Sequence, residues 1–185
     1  MNAILTRERQ LIEMTLKAAL IYDDFDFAAR TTALLKRVAR RTDEAMQWDV
    51  KPWRLDVLKT TSLADAALAE TADADLMVVA LCRTHVSPDE LMEWLEQWAS
   101  RRQISDAAMM VLCPEETAGP LSLWDQLREF AEWHGLPFLG WRNLPDDEDS
   151  MEFVRRMWRR KQPVAPALPW SPDQPRSPRH WGINE

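Results

Sequence analysis

Glycine is scarce in this chain. Its 185 residues include four, and none stands in Asp23-Asp24-Phe25-Asp26, the loop after the first strand-like run. A phosphate-binding loop needs glycine there so that backbone N–H groups can close on the anion, and three aspartates would repel a pyrophosphate unless a cation intervened. The pattern argues against a nucleotide site. Cysteine is sparser still, with only Cys82 and Cys113. Two are too few for a disulfide framework and, as reduced thiols, they suit the cytoplasm. No apolar run is long enough to cross a bilayer, and Arg7, Glu8 and Arg9 stand where a secretory signal would need an apolar stretch. Neither a membrane span nor a secretory leader is expected. A nucleophilic hydrolase has no better support: Gly-x-Ser-x-Gly is absent, and His85, His134 and His180 have no serine partner identifiable by spacing. These absences together point away from catalysis.

Charge is abundant but unevenly placed. The net value is −7, and residues 1–154 hold 28 acidic and 16 basic side chains against 2 and 7 in residues 155–185. An acidic body disfavours nucleic acid. Most of the positive excess is Arg155, Arg156, Arg159, Arg160 and Lys161, preceded by Asp146, Asp147, Glu148 and Asp149. Acid at the start and base at the end is what a helix dipole favours, so Asp147–Lys161 reads as a helix.

Apolar strand-like runs alternate with amphipathic helices, the signature of βα units around a parallel sheet. The runs are Leu16–Tyr22, Met46–Val50, Leu76–Leu81, Ala107–Cys113 and Pro137–Trp141. Pro52 is expected to stop or bulge the second and mark it as an edge strand. The third is apolar throughout, as a central strand covered on both faces should be. Between them, a helix over Phe27–Arg41 buries Phe27, Thr31, Leu34, Leu35 and Val38. A second is capped by Ser62, a third starts at Ser87-Pro88 with Leu91, Trp94, Leu95 and Trp98 on one stripe, and a fourth runs from Leu121 to His134 and ends at Gly135. The expected fold is a three-layer, doubly wound α/β domain with a five-stranded parallel sheet, its strands in the order 2-1-3-4-5 that one common doubly wound class adopts. It spans residues 15–161 after a 14-residue extension, and Met14 is an alternative start.

Residues 162–185 form an arm. Pro163, Pro166, Pro169, Pro172, Pro175 and Pro178 recur every third residue, the repeat of a polyproline II helix, which at ~3.1 Å per residue would reach about 50 Å. Arg160-x-x-Pro163-x-x-Pro166 has the basic residue and two prolines that SH3-type grooves read. Trp170 and Trp181 lie where no local core can bury them, so the arm either folds back on its own domain, reaches a groove on another protein, or docks on a second copy. Ten tryptophans are many for this length. Core filling is their default use, but Trp94 and Trp98, one helical turn apart, could instead form a partner-binding surface.

The carboxylate pair Asp23-Asp24 after the first strand, with Asp65-Ala66-Ala67-Leu68 leading into Asp75-Leu76-Met77-Val78-Val79, resembles response-regulator receiver domains over about residues 17–161. In that family the acidic pair holds a divalent cation, an aspartate ending the third strand accepts a phosphoryl group, and a hydroxyl residue and a lysine ending strands four and five sense it. By register from Asp75 the acceptor position here is Ala80, the hydroxyl position falls at Leu112 or Cys113, and the lysine position at Trp141 or Arg142. The resemblance therefore implies a degenerate, phosphorylation-independent receiver, a pseudo-receiver, that regulates or binds protein without catalysis. The contrasting expectation is a metal or thiol site. On a 2-1-3-4-5 sheet Asp23, Asp24, Cys82, His85 and Cys113 would gather at the carboxyl edge, a set suited to a divalent metal such as zinc or copper. No other cofactor is expected.

Overall fold

The computed structural model describes residues 14–42, 46–82, 88–112, 123–141 and 152. The expected N-terminal extension up to residue 13, the helix Asp147–Lys161 other than Glu152, and the arm 162–185 lie outside them. β1 (Met14–Tyr22) leads into α1 (Phe25–Thr42), β2 (Met46–Arg54) and a single 3-10 turn, Leu55–Lys59. α2 (Thr61–Thr71), β3 (Leu76–Ala80), α3 (Pro88–Arg101), β4 (Ala108–Leu112), α4 (Leu123–Trp133) and β5 (Phe138–Trp141) follow. Every pairing is parallel, as the alternation of apolar runs and helical stripes implies, and the strand order is the expected β2-β1-β3-β4-β5.

β3 is central because each of its five side chains is buried, so both faces must be covered. Two cores result. Ala19, Ile21, Met77, Val79, Met109 and Val111 face α2, α3 and α4, whose Leu68, Leu95, Trp98 and Leu127 complete one cluster. The alternate strand residues, including Leu20, Val78 and Met110, pack with Leu34, Leu35 and Val38 of α1 in the other. α1 begins where Asp24 caps it, Oδ1 accepting the Phe27 N–H at 3.0 Å, with Asp26 in its first turn and Arg40 and Arg41 in its last. Phe27 itself is only half-buried, and Ala28 occupies the inward position beside Thr31.

Three local expectations need correction. Pro52 does not stop β2, which continues to Arg54. β2 pairs with β1 alone, and an edge strand tolerates a residue without an N–H. Ser62 does not cap α2. The 3-10 turn delivers the chain to Thr60, whose carbonyl accepts the N–H groups of Leu63 and Ala64 at 2.9 and 2.8 Å, so the helix starts one residue before Ser62. The fourth strand starts at Ala108 rather than Ala107, and Cys113, its expected end, lies outside the described residues.

α4 closes as its glycine requires. Gly135 takes φ 65°, its N–H reaches Glu132 O at 3.2 Å and the Leu136 N–H reaches Ala131 O at 2.8 Å, the paired bonds of a Schellman end. Gly140 serves closeness instead: a Cβ there would stand 2.4 Å from the Trp124 ring, which meets Phe138 edge-on at 5.8 Å.

Candidate functional site

The carboxyl end of the sheet is where a doubly wound fold gathers ligands. Here β1 ends at Tyr22, β3 at Ala80 and β4 at Leu112, and the three stand in register across the sheet. Ala80, Leu81 and Leu112 are fully buried. The position that in a receiver would carry the phosphoryl acceptor is thus a methyl group packed among strand ends.

Asp23 and Asp24 do sit at this edge, but their side chains hold backbone. Asp23 Oδ1 accepts the Cys82 N–H at 2.8 Å, tying the end of β1 to the segment after β3. Asp24 Oδ1 caps α1. Cys82 is exposed, so of the five candidate ligands Asp23, Asp24 and Cys82 share the edge, while His85 and Cys113 lie outside the described residues. Among the described residues no three His, Cys, Asp or Glu side chains group as a metal site.

Beside this edge, Phe25 is 62% exposed and packs against Tyr22 at 5.4 Å between ring centroids. The Arg54 guanidinium lies 5.4 Å over the Phe25 ring. Arg54 also grips Asp56 with Nε and Nη2 at 2.5 and 2.6 Å. The hydrogen bond from Arg54 holds the Asp56 carboxyl below the usual carboxylate range, and the same contact raises Arg54 above its ordinary value.

The expected Trp94–Trp98 partner surface gives way to a core. The two indoles are 3% and 0% exposed. Their Nε1 groups donate to carbonyls of α2, Trp94 to Ala64 O at 3.4 Å and Trp98 to Thr71 O at 3.0 Å. Two indoles one turn apart thereby fasten α3 to α2 while satisfying their own donors. Arg160, Pro163, Pro166, Trp170 and Trp181 lie outside the described residues.

Sequence reasoning passed over Trp133. It is 85% exposed and helps line an open groove of about 370 Å³ with Met92, Glu96, Gln126, Glu129 and Phe130, between α3 and α4. A helical wheel could have found it, since at about 100° per residue Trp133 falls about 100° away from the stripe of Leu123, Leu127, Phe130 and Ala131.

Strand order and layering define the class, a doubly wound, all-parallel α/β domain of flavodoxin-like order. No family model matches the chain, and no curated protein matches it. Among solved structures it resembles one described as the crystal structure of the RPS4 and RRS1 TIR domain heterodimer, at 17% identity and a TM-score of 0.46, over 77% of this chain and 96% of that one. A likeness of that size adds nothing to what the strand order already gives. Among the described residues no helix is long and apolar enough to cross a membrane.

Proposed function

We propose that the chain is a non-enzymatic, receiver-like module that binds protein and acts independently of phosphorylation. The observation that carries this reading is Ala80, fully buried at the end of β3 in register with Tyr22 and Leu112, where the chemistry of a receiver would need an oxygen. The local tasks of Asp23 and Asp24 support it, because carboxylate atoms accepting N–H groups are partly withdrawn from a cation. The partner surface in this reading includes the arm, with Arg160, Pro163, Pro166, Trp170 and Trp181, and the exposed Trp133.

A second reading, a metal- or thiol-dependent site on Asp23, Asp24, Cys82, His85 and Cys113, draws on the closeness of Asp23 to Cys82. Thermal melts in chelator, in Mg²⁺ and in Zn²⁺ separate the two. The module reading expects coincident midpoints. A dose-dependent rise that vanishes in Asp23→Asn/Asp24→Asn contradicts it, since a site filled at a hundred times its Kd stabilises by about 2.7 kcal/mol, while asparagine still caps a helix.

A further inference from the structure

Among the described residues, the helices on the two sides of the sheet carry opposite charge. α1 holds five basic side chains, Arg30, Lys36, Arg37, Arg40 and Arg41, against one acidic, Asp26. All five are exposed. At about 100° per residue they fall in an arc of about 140° on the side away from the buried stripe. α3 and α4, on the other side of the sheet, hold seven acidic and two basic side chains, with Glu93, Glu96, Glu129 and Glu132 exposed. The groove between these two helices has Trp133, Met92 and Phe130 as its apolar lining, with Glu96 and Glu129 beside them.

We propose that these surfaces recognise each other on separate copies of the chain, the basic face of α1 seating in the α3–α4 groove of the next molecule. The inference rests on the reading of the chain as a protein-binding module and names a second copy as the partner. Local charge complementarity names that occupant: the α3–α4 layer of a second copy offers carboxylates together with an exposed indole, matching the arginines of α1. Arginine suits both, since its guanidinium pairs with a carboxylate and stacks on an aromatic face while its stem covers apolar surface. Because the two surfaces lie on opposite sides of the sheet, one contact leaves a basic face unused at one end and an acidic groove at the other. The assembly is heterologous and grows head to tail.

Sedimentation velocity on the full chain, with two variants, tests this. Lys36→Gln/Arg40→Gln neutralises part of the basic face and Glu129→Gln/Trp133→Ser part of the groove, all at exposed positions outside the core. The wild type is expected to show a weight-average mass at least twice the monomer's in about 0.01 M salt, rising with concentration. It should fall towards the monomer in about 1 M salt as the Debye length shrinks from about 30 Å to about 3 Å. Each variant alone should stay monomeric, and an equal mixture should give dimers and nothing longer, because each supplies the one surface the other lacks. That complementation also establishes that both variants are folded. A wild type that is monomeric in low salt, a dimer that never grows, or a mixture that stays monomeric while the wild type assembles overturns the proposal. So does a monomeric wild type that binds heparin through α1, since the basic face would then read polyanions. A cation-dependent melt would overturn the functional reading and leave this result untouched.

Discussion

The two ends of the sheet use their charges differently. At the carboxyl end the strands close on Ala80 and Leu112, both fully buried, and the acids beside them bind backbone. At the amino end Asp75, 5% exposed, accepts the Lys17 N–H at 2.8 Å through Oδ2. Its own N–H donates to Lys17 O at 2.8 Å and its carbonyl accepts the Ala108 N–H at 2.9 Å. Lys17 pairs with Asp73, and Lys51 lies 3.7 Å from Asp49 and 3.6 Å from Glu70. A polar network at the end opposite the usual ligand edge has a structural task, holding β1, β3 and β4 in register. The lesson is that strand-end acids in this fold cannot be read as chemistry until their partners are known.

The sharpest way to break that contrast is Ala80→Asp, which builds a receiver-like acceptor into the carboxyl end. Burying a carboxylate in that enclosed position should cost at least about 3 kcal/mol in urea unfolding, and a variant as stable as the wild type would mean that the end is open. Asp75→Ala comes next. It strands the partly buried Lys17 N–H and should destabilise by about 1–3 kcal/mol, more than Asp24→Ala at the other end, where loss of a helix cap costs about 1 kcal/mol. The reverse ranking would move the structural weight to the carboxyl end. Arg54→Ala should have the smallest effect. The pair is exposed, and a carboxyl held low adds stability above its ordinary pKa that is lost as pH falls through the lowered one. Without Arg54, the Asp56 resonance should titrate at higher pH by NMR while the melt at neutral pH barely moves.

The parallel sheet was legible because its signals are strong: the continuous Leu76–Ala80 run suits a strand covered on both faces, and α1 and α3 carry clear apolar stripes, whereas the strand order came only with the doubly wound class. Local boundaries were not. Ser62 is as good a cap as Thr60 by residue type, and only the preceding 3-10 turn decides between them. Pro52 looked terminal because a sequence does not show on which side a strand is paired. That Ala80 ends β3 was readable from register, and that it offers no oxygen is a property of residue type. How Trp94 and Trp98 fasten α3 was not readable, because their acceptors lie in α2, 30 and 27 residues away.

The central claim is that the carboxyl end does no phosphoryl chemistry. Intact-mass analysis of the full chain after incubation with a small acyl phosphate and Mg²⁺ tests it most directly. The account expects an unchanged mass at every time point, and a stoichiometric phosphoryl adduct mapped to Asp23 or Asp24 would contradict it.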